Sequence, residues 1–406
     1  MSPSDPEQPL TYPMHGRTAL AAPEEWERLR QQCPVARVTL PSGDEAALLT
    51  RYDDVRQVLA DPRFGRQLTA DDAARIAENE SGGVFNSEMA TAIPQQGEPH
   101  QRWRRMVGRW FTARRMAALR PGIEAMTGRL VDEMREHGHP ADLKAHLAFP
   151  LPVRVICTLL GVPDADRDRF AHWSDTLLNL TRYTQDEIDT AQTEFTAYMT
   201  AHIAEKRKHP GDDLLGELIT AEDADGHRMS ERELVYTGQA LLVAGHETTA
   251  NMIGKMVAML LADRRRWERL LAEPALVRSA VEEALRFDAN AGIGMPRYID
   301  EPAEVGGTVL PPGTTVVCSM AAANRDESAF EAADEMALDR SPNPHLAFGA
   351  GPHSCLGQAL ARTELTTVLD VLLRRLPTLE LAVPAADLRR LQGLAVGGLS
   401  EVPVRW

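Results

Sequence analysis

A mainly α-helical fold with a small β region is what this sequence predicts, and three patterns predict it. Apolar residues recur at helical spacing with few breaks from His100 to Leu285. One such stretch, Leu234 to Ala262, would run on the order of 45 Å at about 1.5 Å per residue, enough to cross a whole domain. Strand-like segments are short and lie far apart, within 36–50 and 297–320. Each is too short to be stable alone, so they are expected to join one small sheet. That sheet would tie the two ends of the chain together and make residues 1–406 a single domain.

In chain order, Met1 to Thr18 carries prolines and charges and no apolar stretch of signal-peptide or anchor length. Residues 36–50 read as a hairpin, Ala36–Leu40 and Glu45–Thr50, around the turn Pro41-Ser42-Gly43-Asp44. Val55, Val58 and Leu59 start a helix that Asp61-Pro62 ends. From Leu68 to Gln96 the pattern weakens into a long surface segment of the kind that often forms lids or binding loops. The helical region then breaks at Gly161-Val162-Pro163, His209-Pro210-Gly211 and Asp223–Arg228. Ser230 and Glu233 form a capping box in front of the long helix. After Asn290, short strands at Arg297–Ile299, Thr308–Leu310 and Thr315–Met320 surround Gly306-Gly307 and Pro311-Pro312-Gly313. A helix from Leu356 to Leu376 leads to a strand-rich tail ending at Trp406.

The bulk numbers bound the function. The chain has 406 residues, 43% of them hydrophobic and 25% charged, which supplies a large core and excludes wholesale disorder. A net charge of −15 argues against nucleic acid as a general partner. Cys33, Cys157, Cys318 and Cys355 show neither a C-x-x-C pair nor zinc-ligand spacing, which fits a reducing cytoplasm.

Three constellations carry chemistry. Cys355 sits in Phe348-Gly349-Ala350-Gly351-Pro352-His353-Ser354-Cys355-Leu356-Gly357, a glycine-rich loop that delivers one thiol to a helix start. Gly351 and Gly357 let backbone approach a flat macrocycle closely, and a helix N-terminus favours a thiolate. On the residues alone the thiol could be a haem ligand, an inert buried side chain or a nucleophile. In the middle of the long helix stands Ala244-Gly245-His246-Glu247-Thr248-Thr249, polar groups flanked by apolar residues on both sides. A tolerated glycine and a solvated turn would be the plainer reading. Glu283-Ala284-Leu285-Arg286 adds an E-x-x-R pair about 70 residues before the cysteine.

The cysteine loop resembles the haem-binding loop of the cytochrome P-450 monooxygenases, and the resemblance extends from Asp61-Pro62-Arg63-Phe64 through Asn324-Arg325-Asp326 to the tail. It implies the cytochrome P-450 fold, with the long central helix over haem b (iron protoporphyrin IX) and Cys355 as its axial ligand. A thiolate in that position pushes electron density onto iron and favours O–O cleavage. By the same resemblance Ala244 and Gly245 mark a local widening of the helix, Thr248 bonds the bound dioxygen and Glu247 belongs to the proton route. His246 is expected to be structural or solvent-facing. Phe348, Gly351 and Gly357 shape the haem loop. His100, Arg104, Arg297 and His353 match propionate contacts, and Glu283, Arg286 and Arg340 would brace the loop.

The implied reaction inserts one oxygen atom from dioxygen into an organic substrate by hydroxylation or epoxidation. By analogy the pocket includes Asn86, Met89, Leu178, Leu241, Asn290, Ile293, Met295 and Val396, with Asn179 and Asn290 among its polar handles. Small Ala291, Gly292 and Gly294 suggest room, hence a bulky, largely apolar natural product of secondary metabolism such as a macrolide. Alternatives are a peptide, a carrier-bound amino acid, a terpenoid, a fatty acid or a xenobiotic. A peroxide-driven enzyme would not need Glu247 and Thr248, and a haem sensor or carrier without turnover is the rival outside enzymes. No flavin, nicotinamide or iron–sulfur fingerprint is visible. Electrons are therefore expected from an acidic ferredoxin and its reductase, with seven arginines (102, 104, 105, 109, 114, 115 and 120) between His100 and Arg120 offering a docking face. A monomer without a reductase domain is expected.

Overall fold

The computed structural model describes residues 9–78, 91–223 and 225–406. Asn86 and Met89, expected in the pocket, lie outside the described residues. Helices α1 (Glu25–Gln32), α2 (Tyr52–Ala60), α3 (Gly97–Gly108), α4 (Ala113–His137), α5 (Pro150–Leu160), α6 (Arg167–Leu178), α7 (Gln185–Lys208) and α8 (Leu214–Thr220) precede the central α9 (Glu231–Leu261). After it come α10 (Arg264–Ala272), α11 (Val277–Phe287), the short α12 (Met320–Ala323) and α13 (Gln358–Arg375). Among the described residues no helix is long and apolar enough to cross a membrane.

Helix α9 starts where its sequence says it should. The Ser230 backbone N–H donates to Glu233 Oε2 at 2.8 Å, and the Glu233 N–H donates back to Ser230 Oγ at 3.2 Å. The helix is apolar nearly all round, so it must be buried on every side. Helices α5, α6, α7 and α13 pack around it in the largest apolar core. Gly245 marks the tightest approach to α5: a Cβ there would lie 2.9 Å from Ile156 Cδ1.

Strands β1 (Leu10–Thr11), β2 (Val35–Thr39) and β3 (Glu45–Leu49) form a sheet with β5 (Met295–Ile299) and β8 (Thr314–Cys318), in the order β1-β2-β3-β8-β5. The hairpin β2–β3 is antiparallel, and β3 runs parallel to β8 with Ala47 opposite Val316. Residues far apart in sequence therefore meet in one sheet. Thr308–Leu310 does not join it. That strand (β7) pairs with β6 (Ala303–Val305) across Gly306-Gly307, whose φ values of 58° and 75° fit a two-residue hairpin turn that folds the ribbon back on itself. The tail strand β10 (Pro403–Arg405) lies between β4 (Ala141–Asp142) and β9 (Glu380–Leu381).

Candidate active site

The cysteine loop is built by two left-handed glycines. Gly349 has φ 69° and Gly351 φ 68°, a region that L side chains rarely adopt. A Cβ on Gly351 would lie 2.5 Å from Ala60 Cα and 2.9 Å from Leu59 O, so the end of α2 requires glycine here. Gly357 has nothing within 4 Å of its would-be Cβ, so open space lies beside it. The turn closes with the Cys355 N–H donating to Phe348 O at 2.7 Å. Arg104 donates to the Ser354 carbonyl oxygen and hydroxyl, which ties the loop to α3. Phe348 lies under the guanidinium of Arg362, 4.4 Å from ring centroid to Cζ. Arg362 in turn pairs with Glu282 at 2.7 Å, and His345 reaches the same carboxylate at 3.0 Å. Burial would raise the Glu282 carboxyl, but these two partners outweigh it and bring it down to about 2.

Cys355 is exposed although protein surrounds it. Its side chain faces a gap, and that gap is bordered closely enough for burial to push the thiol above its usual range. The Gly357 N–H and the charges of Arg104 and Arg362 only partly oppose the rise. A bound cation would complete what those donors begin, because a coordinating thiol is deprotonated by its metal.

The second open surface is a stripe on α9. Ala244 and Thr248 are exposed and Gly245 half-exposed on a helix whose remaining middle turns are buried. Residues one turn apart share a face, so the stripe is a single accessible strip. The Thr248 hydroxyl donates to Ala244 O at 2.8 Å. The implied widening does not break the helix, which stays α-helical throughout Glu231–Leu261. Glu247 points into a buried network instead of toward Thr248. Its Oε1 accepts from Asn251 Nδ2 at 2.9 Å, and its Oε2 lies 3.4 Å from His246 Nε2. Burial works to raise this carboxyl, and His246, Asn251 and Lys144 hold it low nonetheless. His246 is fully buried with its ring edge-on to Phe149 at 5.5 Å, so a solvent-facing placement is ruled out by the helix packed over it.

Beside the loop gathers a set of basic side chains that have no carboxylate partner among the described residues. His100 and His353 lie ring to ring at 4.2 Å, and Arg297 donates to Pro296 O at 2.8 Å. Burial, then Arg66, His100, Arg297 and Arg104, push the His353 imidazole down to about 3, and among the described residues its Nδ1 has no hydrogen-bond partner. Sequence reasoning missed Arg66. Gly65 pairs antiparallel with Tyr298, which puts Arg66 opposite Arg297 on one face. The signal was available two residues past Phe64, in a segment whose motif had been matched. Burial and the neighbouring Arg297 and Arg104 push the Arg66 guanidinium down to about 10. Buried like charges need a compensating anion. Two propionates would supply one, so these residues fit haem.

The bracing residues meet. Arg286 Nε and Nη2 donate to Glu283 at 2.8 and 2.7 Å, and Arg340 Nε reaches Glu283 Oε2 at 3.0 Å. Asn343, unforeseen, adds a further contact at 3.1 Å. The arginine run is less free than its local sequence implied. Arg102 pairs with Asp223, Arg105 with Glu98, Arg115 with Glu217 and Arg120 with Asp370.

The pocket expectations need two corrections. Gly292 and Gly294 give close packing and not room, because a Cβ on Gly292 would strike Ala395 O and one on Gly294 would lie 2.5 Å from Cys318 O. Asn290 and Asn179 are not free handles. Asn290 Nδ2 donates to Gly398 O at 2.8 Å, and Asn179 Oδ1 accepts from the N–H groups of Thr181 and Arg182 at 3.2 and 2.9 Å. Leu178, Leu241 and Ile293 are buried, while Met295 and Val396 are half-buried.

An exposed thiol beside basic side chains that lack a carboxylate partner among the described residues, with an accessible strip on a long central helix, fits a haem-thiolate oxygenase architecture. Residues 21–382 match the model of the cytochrome P-450 family. The chain belongs to that family. It is 42% identical to mycinamicin IV hydroxylase/epoxidase of Micromonospora griseorubida, over 98% of this chain and 99% of the relative. It is 41% identical to nocardicin C N-oxygenase of Nocardia uniformis subsp. tsuyamanensis, over 98% of each chain. Among solved structures, a mutant of the mixed-function P-450 MycG in complex with mycinamicin V superposes with a TM-score of 0.88 at 41% identity, covering 98% of this chain and 100% of that one. The protein is accordingly a monooxygenase of the haem-thiolate class.

Proposed function

We propose that this enzyme oxygenates a bulky, largely apolar natural product such as a macrolide, with Cys355 as the axial ligand. The observation that carries the ligand assignment is the exposed Cys355 flanked by Arg66, His100, Arg104, Arg297 and His353, none of which has a carboxylate partner among the described residues. Bound haem supplies the oxidising chemistry, in which dioxygen, two electrons and two protons give an oxygenated substrate and water. The chain's own residues do the rest. Arg104 holds the loop, and the five basic residues seat the propionates. Thr248 Oγ, its proton donated to Ala244 O, presents acceptor lone pairs to the gap, and Glu247 takes up protons on the Asn251 and His246 side for transfer toward it. Because Glu247 is hydrogen-bonded away from Thr248, that transfer requires its side chain to turn. The acid–hydroxyl pair favours dioxygen over peroxide as oxidant, and turnover over mere carriage.

The substrate reading rests on the relatives, one of which is named for mycinamicin IV and another for nocardicin C. Nocardicin C, or a peptide as weighed from the sequence, is the second reading. We place the protein in the cytoplasm as a monomer, working as one catalytic unit over residues 1–406 and reduced by a ferredoxin with its reductase. Reduction under carbon monoxide should give the far red-shifted band of thiolate ligation, and Cys355→Ser should lose that band while the chain still folds. A variant that keeps the band would overturn the ligand assignment. Spin-state titration with mycinamicin IV and a panel of peptide products then separates the two substrate readings.

A further inference from the structure

Helix α9 carries one ammonium in its apolar second half, between Met252 and Leu261. Lys255 lies two turns beyond Thr248 and is 4% exposed. Its Nζ donates to Asp288 Oδ2 at 2.6 Å and to the Asn290 carbonyl oxygen at 2.7 Å. Asp288 Oδ1 accepts from the Asn290 N–H at 2.9 Å, so the same carboxylate shapes the turn that leaves α11. Asn290 passes the constraint on, since its Nδ2 donates to Gly398 O at 2.8 Å.

Around this link the backbones of two loops touch. Gly397 lies against Asn290 O and Gly292 against Ala395 O, each too closely for any side chain, and Gly398 faces the Asn251 side chain of α9. The Ile293 N–H donates to Ala395 O at 3.1 Å, and the Ala395 N–H donates to Leu178 O at 2.9 Å. One ammonium thus joins the helix bearing Thr248 to residues 288–293, and through them to residues 394–398 and the end of α6. A buried ion pair adds little net stability over a well-packed apolar pair, because desolvation offsets the attraction. Its distinct property is direction: it holds specified atoms in one arrangement.

We infer that Lys255 is a positioning residue for the substrate cavity, fixing the wall segments 288–293 and 394–398 relative to the central helix through Asp288 and Asn290. The inference rests on the proposed function, and with it on the expectation from the resemblance that Asn290, Ile293 and Val396 of these two segments line its substrate cavity. Its consequence is a wall of fixed shape that selects for substrate outline.

The test uses the haem-loaded double variant Lys255→Met/Asp288→Asn, which removes both charges together and leaves no lone buried ion. Optical titrations with imidazole and with the bulky azole clotrimazole compare a probe that needs only access to iron with one that fills the cavity. The preference for clotrimazole over imidazole is expected to rise by about fivefold or more, as a loosened wall admits the larger probe. A smaller rise, or a fall, overturns the inference and leaves Lys255 a packing residue. Should the double variant not retain haem, Asn290→Ala, which cuts only the link to Gly398, carries the test under the same threshold. Failure of the proposed function shows separately, as a parent protein without the red-shifted carbon monoxide band.

Discussion

Arg66 shows how a single residue gains meaning from its surroundings. In sequence it is one of many arginines, and in the structure it stands opposite Arg297 with no acid to pair with among the described residues. Replacing a charge-assisted hydrogen bond costs about 1.5–3 kcal/mol, so Arg66→Gln should release haem to apomyoglobin about tenfold faster or more. An unchanged transfer rate would remove Arg66 from the propionate set. Thr248 lies on the same scale. Thr248→Ala removes the only hydroxyl on the accessible strip Ala244–Thr248, and oxygen consumed per product formed should rise by about threefold or more, measured against peroxide released. Unaltered coupling would take Thr248 out of the proton route. Thr248 was legible in the chain, whereas Arg66 was not. That the Glu247 carboxylate faces Asn251 and His246 was not, because a side-chain direction depends on packing from other helices.

At the scale of elements, α11 and the segment before the cysteine loop are joined by a buried network. Glu283 and Arg286 are fully buried, and Glu283 also accepts from the Ala337 N–H at 2.8 Å. Glu283→Ala leaves Arg286 buried without its counter-charge, at a cost of about 3–5 kcal/mol. The melting temperature should fall by several degrees and the haem content of purified protein should drop with it. A variant with unchanged melting would show that the network is dispensable. The pairing of Glu283 with Arg286 was readable from i,i+3 spacing, and the arrival of Arg340 was anticipated by resemblance. Asn343 carried no local signal, since its contact spans 60 residues of chain. Gly292 and Gly294 misled for a related reason. A glycine announces that a side chain is unwanted, and only the structure shows whether backbone or empty space takes its place.

Across the whole molecule, charge is arranged more evenly than the sequence suggests. The run from His100 to Arg120 contains no acid, yet Asp223, Glu217 and Asp370 come from distant segments to pair with its arginines. Such exposed pairs contribute little to stability and are screened by salt. They reduce the field available to a docking partner without removing it, for Arg114 is exposed and outside these pairs. Reduction by an acidic ferredoxin should slow by about threefold or more between low and physiological ionic strength, as steered association does. A rate independent of salt would argue for an apolar docking face.

The sequence by itself determined the helix-dominated architecture, the capped central helix and the lone thiol on its glycine loop, because these depend on local periodicity, caps and close spacing, and the resemblance its motifs carry added the class of chemistry. The tertiary structure decided which arginines are neutralised, where Glu247 points, that Arg66 joins the basic cluster and that Lys255 binds two loops to α9. Each of those depends on residues brought together from far along the chain, and burial, which sets the strength of every charge, exists only once they have met.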